Sequence, residues 1–199
     1  MKNKALQEQR IRGYFIEATK EILKSEGLKS VSVRNIAEKA GYSFATLYNY
    51  FKDAKDLVFL CVQDFQTECT EHVTARSAKA ARGEKKLRAI LLAYLEYFVQ
   101  YPGIFELFYV EKLSDLNKQP ATAPLITGFL DKLCEEEWKY LITGKTVSTA
   151  MAANKKAALL YGLSGLLLLY INRQMPAGYP AFLKAATTFI DGQLKDMNA

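Results

Sequence analysis

Between Ile36 and Leu57 the sequence IAEKAGYSFATLYNYFKDAKDL sets two helix-length segments on either side of Gly41 and then opens a third. Ser32 is placed to cap the first segment, and Val33, Ile36, Ala37 and Ala40 recur at helical spacing along one side of it. Gly41 ends that helix. Ser43 can cap the second, from Phe44 to about Phe51, with Leu47 and Phe51 turned inward, and Asp53 can cap the third. Two short helices joined at a glycine turn have the proportions of a helix-turn-helix, in which the second helix enters a major groove, although structural bundles also contain such pairs.

The composition of the second helix adds information that geometry lacks. Thr46, Tyr48, Asn49 and Tyr50, followed by Lys52, make it more polar and aromatic than a packing helix requires. Hydroxyls, an amide and a lysine are groups that hold phosphates and fix register on a duplex. Tyr48 and Tyr50 have a second reading as half-buried aromatics with wet hydroxyls. Charge points the same way as composition. Residues 1–57 hold 11 of the 27 basic and 7 of the 21 acidic residues, a net +4, against +2 for residues 58–199. Such a basic head on a near-neutral body suits a nucleic-acid partner, though many solvated helical surfaces reach +4.

The segments SVSVRNIAEKAG and GYSFATLYNYFKDAKDL resemble the second helix and the recognition region of the TetR family of bacterial transcriptional regulators. That family's pattern is roughly Gly-Val-Ser, two variable residues, Thr-Leu-Tyr, a variable residue, His or Tyr, Phe and Lys, then a charged helix start. The match covers about Arg12 to Leu60, under a third of the chain. The pattern of apolar stripes and breaks along the chain predicts an all-α fold of about nine helices. Residues 1–56 would form a three-helix helix-turn-helix head, and residues 57–199 a helical-bundle body for ligand binding and dimerisation.

Carried over by position, the resemblance implies that Ser32 and Arg34 approach phosphate, and that Ser43, Phe44 and Ala45 open the recognition helix toward the bases. Thr46, Tyr48, Tyr50 and Lys52 would hold backbone or base edges, with Asn49 on the same surface. Phe44 departs from the family, which has a polar or small residue there. Periodicity sets it about 60° from Leu47 and hence near the core, whereas a functional reading brings it against a thymine methyl.

The remainder of the chain reads as helices with breaks. Ile11, Phe15, Ala18 and Ile22 form the stripe of a first helix over about Leu6 to Glu26, and Leu57, Leu60, Cys61 and Phe65 that of a fourth. A strongly amphipathic segment from Lys85 to Tyr101 breaks at Pro102, and Asn117 to Pro124 reads as a loop before a helix over Leu125 to Leu141. The helix from about Thr149 to Arg173 is apolar on nearly all sides and is expected to be covered on nearly all sides. A last helix opens at Pro180.

The body is rich in aromatic residues. Ligand sites between helices are mostly apolar with a few polar tips, although an aromatic stripe is also how a core looks. With the resemblance implying a cavity here, Tyr94, Phe98, Phe105, Phe108, Trp138 and Tyr161 are the candidate ligand-binding wall. Ala158, Gly162 and Gly165 form a small-residue ridge that permits close helix approach, within one chain or across a two-fold axis. The resemblance implies the latter, a homodimer interface formed by the last two helices and including Phe189.

Other classes find little support. Cys61, Cys69 and Cys134 lack metal-ligand spacing and read as buried thiols in a reducing cytosol, so neither a metal nor a cofactor is expected. His72 reads as a solvated or capped side chain. Gly162-Leu-Ser-Gly-Leu misses the nucleophile elbow because Leu166 holds its final glycine position. The run Glu135 to Glu137 points around a helix and reads as a solvated face. The apolar stretch Ala157 to Ile171 spans 15 residues, short of the roughly 20 that cross a bilayer, so no membrane partner is expected. The partners expected are double-stranded DNA at a palindromic operator, a small-molecule effector and a second copy of the chain. A helical-bundle ligand-binding or protein-interaction module without DNA binding is the alternative.

Overall fold

A computed structural model of the protein describes residues 2–110, 122–172 and 175–195. Among them are ten α-helices, one 3₁₀ turn at Leu28–Ser30 and no strand. The helices are α1 (Lys2–Ser25), α2 (Val33–Ala40), α3 (Phe44–Tyr48), α4 (Ala54–Ser77), α5 (Glu84–Gln100), α6 (Pro102–Tyr109), α7 (Thr122–Thr127), α8 (Phe129–Thr143), α9 (Thr149–Ile171) and α10 (Tyr179–Lys195). Contacts divide the chain into two compact units, Met1–Thr67 with Tyr101–Ile126, and Glu68–Gln100 with Thr127–Ala199. The division runs through α4, and residues 1–56 lie wholly within the first unit.

The first unit is held by one cluster in which Phe15, Ala18 and Ile22 of α1 meet Ile36 and Ala37 of α2, Leu47 of α3, Phe51 and Leu57. The end of α2 shows why the chain can turn here. Gly41 adopts φ 76° and ψ 27°, its N–H donates to Glu38 O at 3.1 Å, and the Tyr42 N–H donates to Ala37 O at 2.9 Å. This pair of bonds satisfies carbonyls that the helix would otherwise leave open. Against the other side of α1 packs α6, opened by Pro102 at its first turn. A side chain at Gly103 would drive its Cβ into the Leu23 carbonyl oxygen, so glycine is what lets α6 meet the end of α1.

In the second unit the helix buried on most sides is α5, not α9 as expected. Leu87, Ile90, Leu91, Ala93, Tyr94, Leu95, Tyr97 and Phe98 are all buried, and α5 contacts α8, α9 and α10. By contrast α9 buries Ala152, Leu159, Leu163 and Leu167, one stripe, and leaves Tyr161, Leu168 and Leu169 exposed. An apolar composition therefore does not translate into complete covering within one chain. Gly162 of α9 faces the Phe189 ring of α10, which occupies the space a Cβ would need.

Three smaller expectations change. The helix expected over Leu125 to Leu141 is interrupted at Gly128, dividing α7 from α8, and Pro124 lies inside α7 instead of in a loop. The expected loop residues 117–121 lie outside the described residues. Glu137 is buried instead of solvated, its carboxylate accepting from Arg82 Nε at 3.0 Å and from the Gly83 N–H at 2.7 Å. That clasp fastens the α4–α5 connection to α8. His72 is half-buried, with Nε2 3.5 Å from Glu96 Oε2, and Arg76 also bonds Glu96 at 2.9 Å.

Two glycines on helices are expected to respond to alanine with opposite signs. Gly103→Ala should lower unfolding stability by about 1–3 kcal/mol, because backbone atoms must move to admit the methyl group. Gly13→Ala, where nothing lies within 4 Å of the added Cβ, should raise it by about 0.5–1 kcal/mol. Urea unfolding of both variants checks the pair.

Candidate functional site

The recognition segment is anchored from within and presented outward. Ser32 Oγ accepts from the Asn35 N–H at 3.1 Å and starts α2, while Ser43 Oγ accepts from the Thr46 N–H at 3.1 Å and starts α3. The Ser43 and Thr46 hydroxyls also meet at 2.9 Å. After Tyr48 the chain tightens, with Asn49 N–H donating to Thr46 O at 3.1 Å and Tyr50 N–H to Leu47 O at 2.9 Å. Thus α3 ends three residues before the expected Phe51, and the turn returns Phe51 to the core. Asp53 Oδ1 then accepts from the N–H groups of Lys55 at 2.8 Å and Asp56 at 3.1 Å, capping α4.

With Leu47 and Phe51 buried, the other side of this segment faces solvent. Phe44 is 63% exposed and Tyr48 56%. That removes Phe44 from the core that periodicity suggested for it. Ser32, Arg34, Ser43, Ala45, Asn49 and Lys52 are exposed as well, whereas Thr46 and Tyr50 are half-buried. The Tyr50 ring lies 6.3 Å from Phe15, so this tyrosine is partly a packing residue.

Not every basic residue of the first unit is free to meet another molecule. Arg12 donates to the Tyr50 carbonyl at 2.7 Å and lies 4.4 Å over the Phe51 ring, an attachment across 38 residues that local periodicity does not reveal. Lys39 pairs with Glu21 at 3.1 Å, and Lys20 with Glu17 at 3.2 Å. Among the described residues Arg34 and Lys52 have no ion-pair partner. Tyr14, which the sequence reading did not single out, is 54% exposed and stacks on Tyr42 with centroids 6.2 Å apart.

The second unit holds a cavity of about 210 Å³ between α5, α8 and α9. Leu91, Leu130, Trp138, Leu159, Leu160 and Tyr161 supply apolar wall. Its polar groups include Asp131 and Lys156, which form an ion pair at 2.8 Å. Cys134 also lines it, and burial first, then the Asp131 charge, pushes this thiol up to about 12, so it is neutral. Of the six wall candidates, Trp138 and Tyr161 line this cavity. Tyr94 and Phe98 are buried against each other, centroids 4.8 Å apart, and Phe105 and Phe108 are buried on α6 of the first unit. Leu91, Asp131 and Lys156 were missed because apolar and charged helix positions look alike whether or not they border a void.

Comparison with known proteins bears on both regions. Residues 15–61 match the family model of bacterial regulatory proteins of the tetR family. Compared with curated proteins, the sequence has no match. Solved structures share the fold at low identity. The fatty acid degradation regulator FadR from Bacillus halodurans superposes with a TM-score of 0.70 at 14% identity, over 89% of this chain and 93% of that one. FadR from Bacillus subtilis, solved in complex with stearoyl-CoA, gives 0.67 at 14% identity over 92% and 97%. A TetR family transcription regulator from Marinobacter aquaeolei VT8 gives 0.65 at 17% identity over 97% and 98%. The chain therefore carries a TetR-family head in residues 15–61 and has the TetR-type fold.

Proposed function

We propose that the protein is a ligand-responsive, DNA-binding regulator of transcription. It acts in the cytoplasm as a homodimeric repressor, released from a palindromic operator by a small, largely apolar or aromatic effector. The observation that carries this reading is the exposed side of α3. A segment pinned by Leu47 and Phe51 presents Ser43, Phe44, Ala45, Tyr48 and Asn49 outward, next to Arg34 and Lys52, which have no ion-pair partner among the described residues. Amide, hydroxyl and ammonium groups meet phosphates, and the apolar Phe44 at the start of the helix suits a thymine methyl.

The proposed dimer draws its support from α9. Ala158, Tyr161, Gly165 and Leu168 lie at steps of three, four and three along one side, and Tyr161 is 74% exposed. Gly162 and Phe189, candidates for the same interface, are engaged with each other inside one chain, so the partner helix is expected over the Tyr161 side instead. A two-fold axis there would present two recognition helices to successive major grooves about 34 Å apart. Effector control is a population shift: a molecule that binds the second unit better in one arrangement of the units than in another draws the dimer away from the operator spacing. The apolar walls of the 210 Å³ cavity support an apolar effector, as does the stearoyl-CoA complex of the Bacillus subtilis regulator.

Three measurements test this reading on duplexes selected from a random pool. Lys52→Ala should weaken binding on all sequences and reduce the slope of log affinity against log salt by about 0.9 per subunit. An unchanged slope would take Lys52 out of the phosphate contacts. Replacing the contacted thymine by uracil removes only its methyl group and should cost about fourfold per half-site, with Phe44→Ala insensitive to the exchange. Leu168→Glu should sediment as a monomer where the native chain is a dimer, and lose operator affinity with it.

A further inference from the structure

The cavity of the second unit contains one feature that decides what charge its ligand carries. Lys156 and Asp131 pair at 2.8 Å, but they are not equally committed to the protein. The Lys156 side chain is 30% exposed and that of Asp131 54%. Trp138 and Leu160 also line the cavity, and the neutral Cys134 thiol offers the ammonium no charge partner. Asp131 can therefore turn into water at little cost, because an ion pair this exposed contributes little. Lys156 is the more buried of the two, and losing Asp131 would leave it the charge of Glu135, a carboxylate that Lys139 already holds at 2.8 Å.

A cationic ligand would have to take Asp131 and leave Lys156 with the charge of Glu135, which is already paired with Lys139. A neutral ligand would leave the pair intact and gain only apolar burial. An acid gains both: its body fills the apolar space and its carboxylate takes over the better-buried ammonium in a charge-assisted hydrogen bond. We infer that the cavity between α5, α8 and α9 binds an apolar monocarboxylic acid, whose carboxylate replaces Asp131 on Lys156. This rests on the reading of the second unit as the effector-binding part, and it names the ligand class.

Trp138 is the single tryptophan of the chain and lies on the cavity wall, so its emission reports occupancy directly. Octanoate, octan-1-ol and octylamine, added to the full-length protein, share one tail and differ in charge. Octanoate should bind about tenfold more tightly than the alcohol, and the amine more weakly than both. Lys156→Met should reduce octanoate to the level of the alcohol, and Lys156→Arg should restore much of the difference. Asp131→Asn, which removes the competitor, should tighten octanoate severalfold and leave the alcohol unchanged. A residue of merely structural importance would weaken all three ligands together. Equal affinity for acid and alcohol, loss of octanoate affinity in Asp131→Asn, or no octanoate binding by calorimetry overturns the inference. Octanoate bound with unchanged operator affinity supports the site and removes the effector role. Operator binding without octanoate binding removes the site and leaves the DNA-binding reading in place.

Discussion

Phe15 is completely buried, and three aromatic side chains of the recognition region converge on it. Its ring lies 5.4 Å from Tyr42, 6.3 Å from Tyr50 and 6.2 Å edge-on from Phe51. Tyr42 precedes α3, while Tyr50 and Phe51 follow it, so one side chain of α1 holds both ends of a five-residue helix. A helix that short has negligible stability of its own, since nucleation is unfavourable and few bonds follow it. What keeps α3 helical is the pair of anchors, together with the Ser43 cap. The outward surface of Phe44, Ala45, Tyr48 and Asn49 is thus a consequence of α1, and its precision depends on packing around Phe15.

A different balance governs the second unit. There α5 is enclosed by α8, α9 and α10, and the opposite side of α9 carries apolar residues, Tyr161, Leu168 and Leu169, that are exposed among the described residues. Tyr161 belongs to that side and also to the cavity wall. A ligand in the proposed site and a second copy on α9, as proposed, would therefore share a side chain.

The elements legible in the sequence were those decided by neighbours a few residues away. Ser32, Ser43 and Asp53 accept the amide bonds expected of caps, Gly41 takes the left-handed conformation, and Leu47 and Phe51 are buried. Phe44 shows the limit of that reasoning: its angular distance from Leu47 suggested the core, yet α3 touches the rest of the unit over so narrow a strip that a 60° offset already reaches solvent. Periodicity also cannot say which helix is central. The apolar α9 looked more enclosed than α5, but the position of a helix among its partners decides its covering, not its composition. The cavity wall was legible only at Trp138 and Tyr161, because a void is a property of several helices jointly and leaves no mark on any one of them.

Net charge was the coarsest of these signals, and the structure shows why it pointed to the head. Arg12 spends its guanidinium on the Tyr50 carbonyl and the Phe51 ring, and Lys39 and Lys20 are paired with carboxylates. Those cations make contacts within the fold. Arg34 and Lys52, exposed beside the recognition surface, are not compensated in this way. A phosphate approaching α3 would meet charges that cost nothing to release from a previous partner. The +4 of the first 57 residues thus understates the distinction that matters, which is between cations the protein has already neutralised and cations it has kept available.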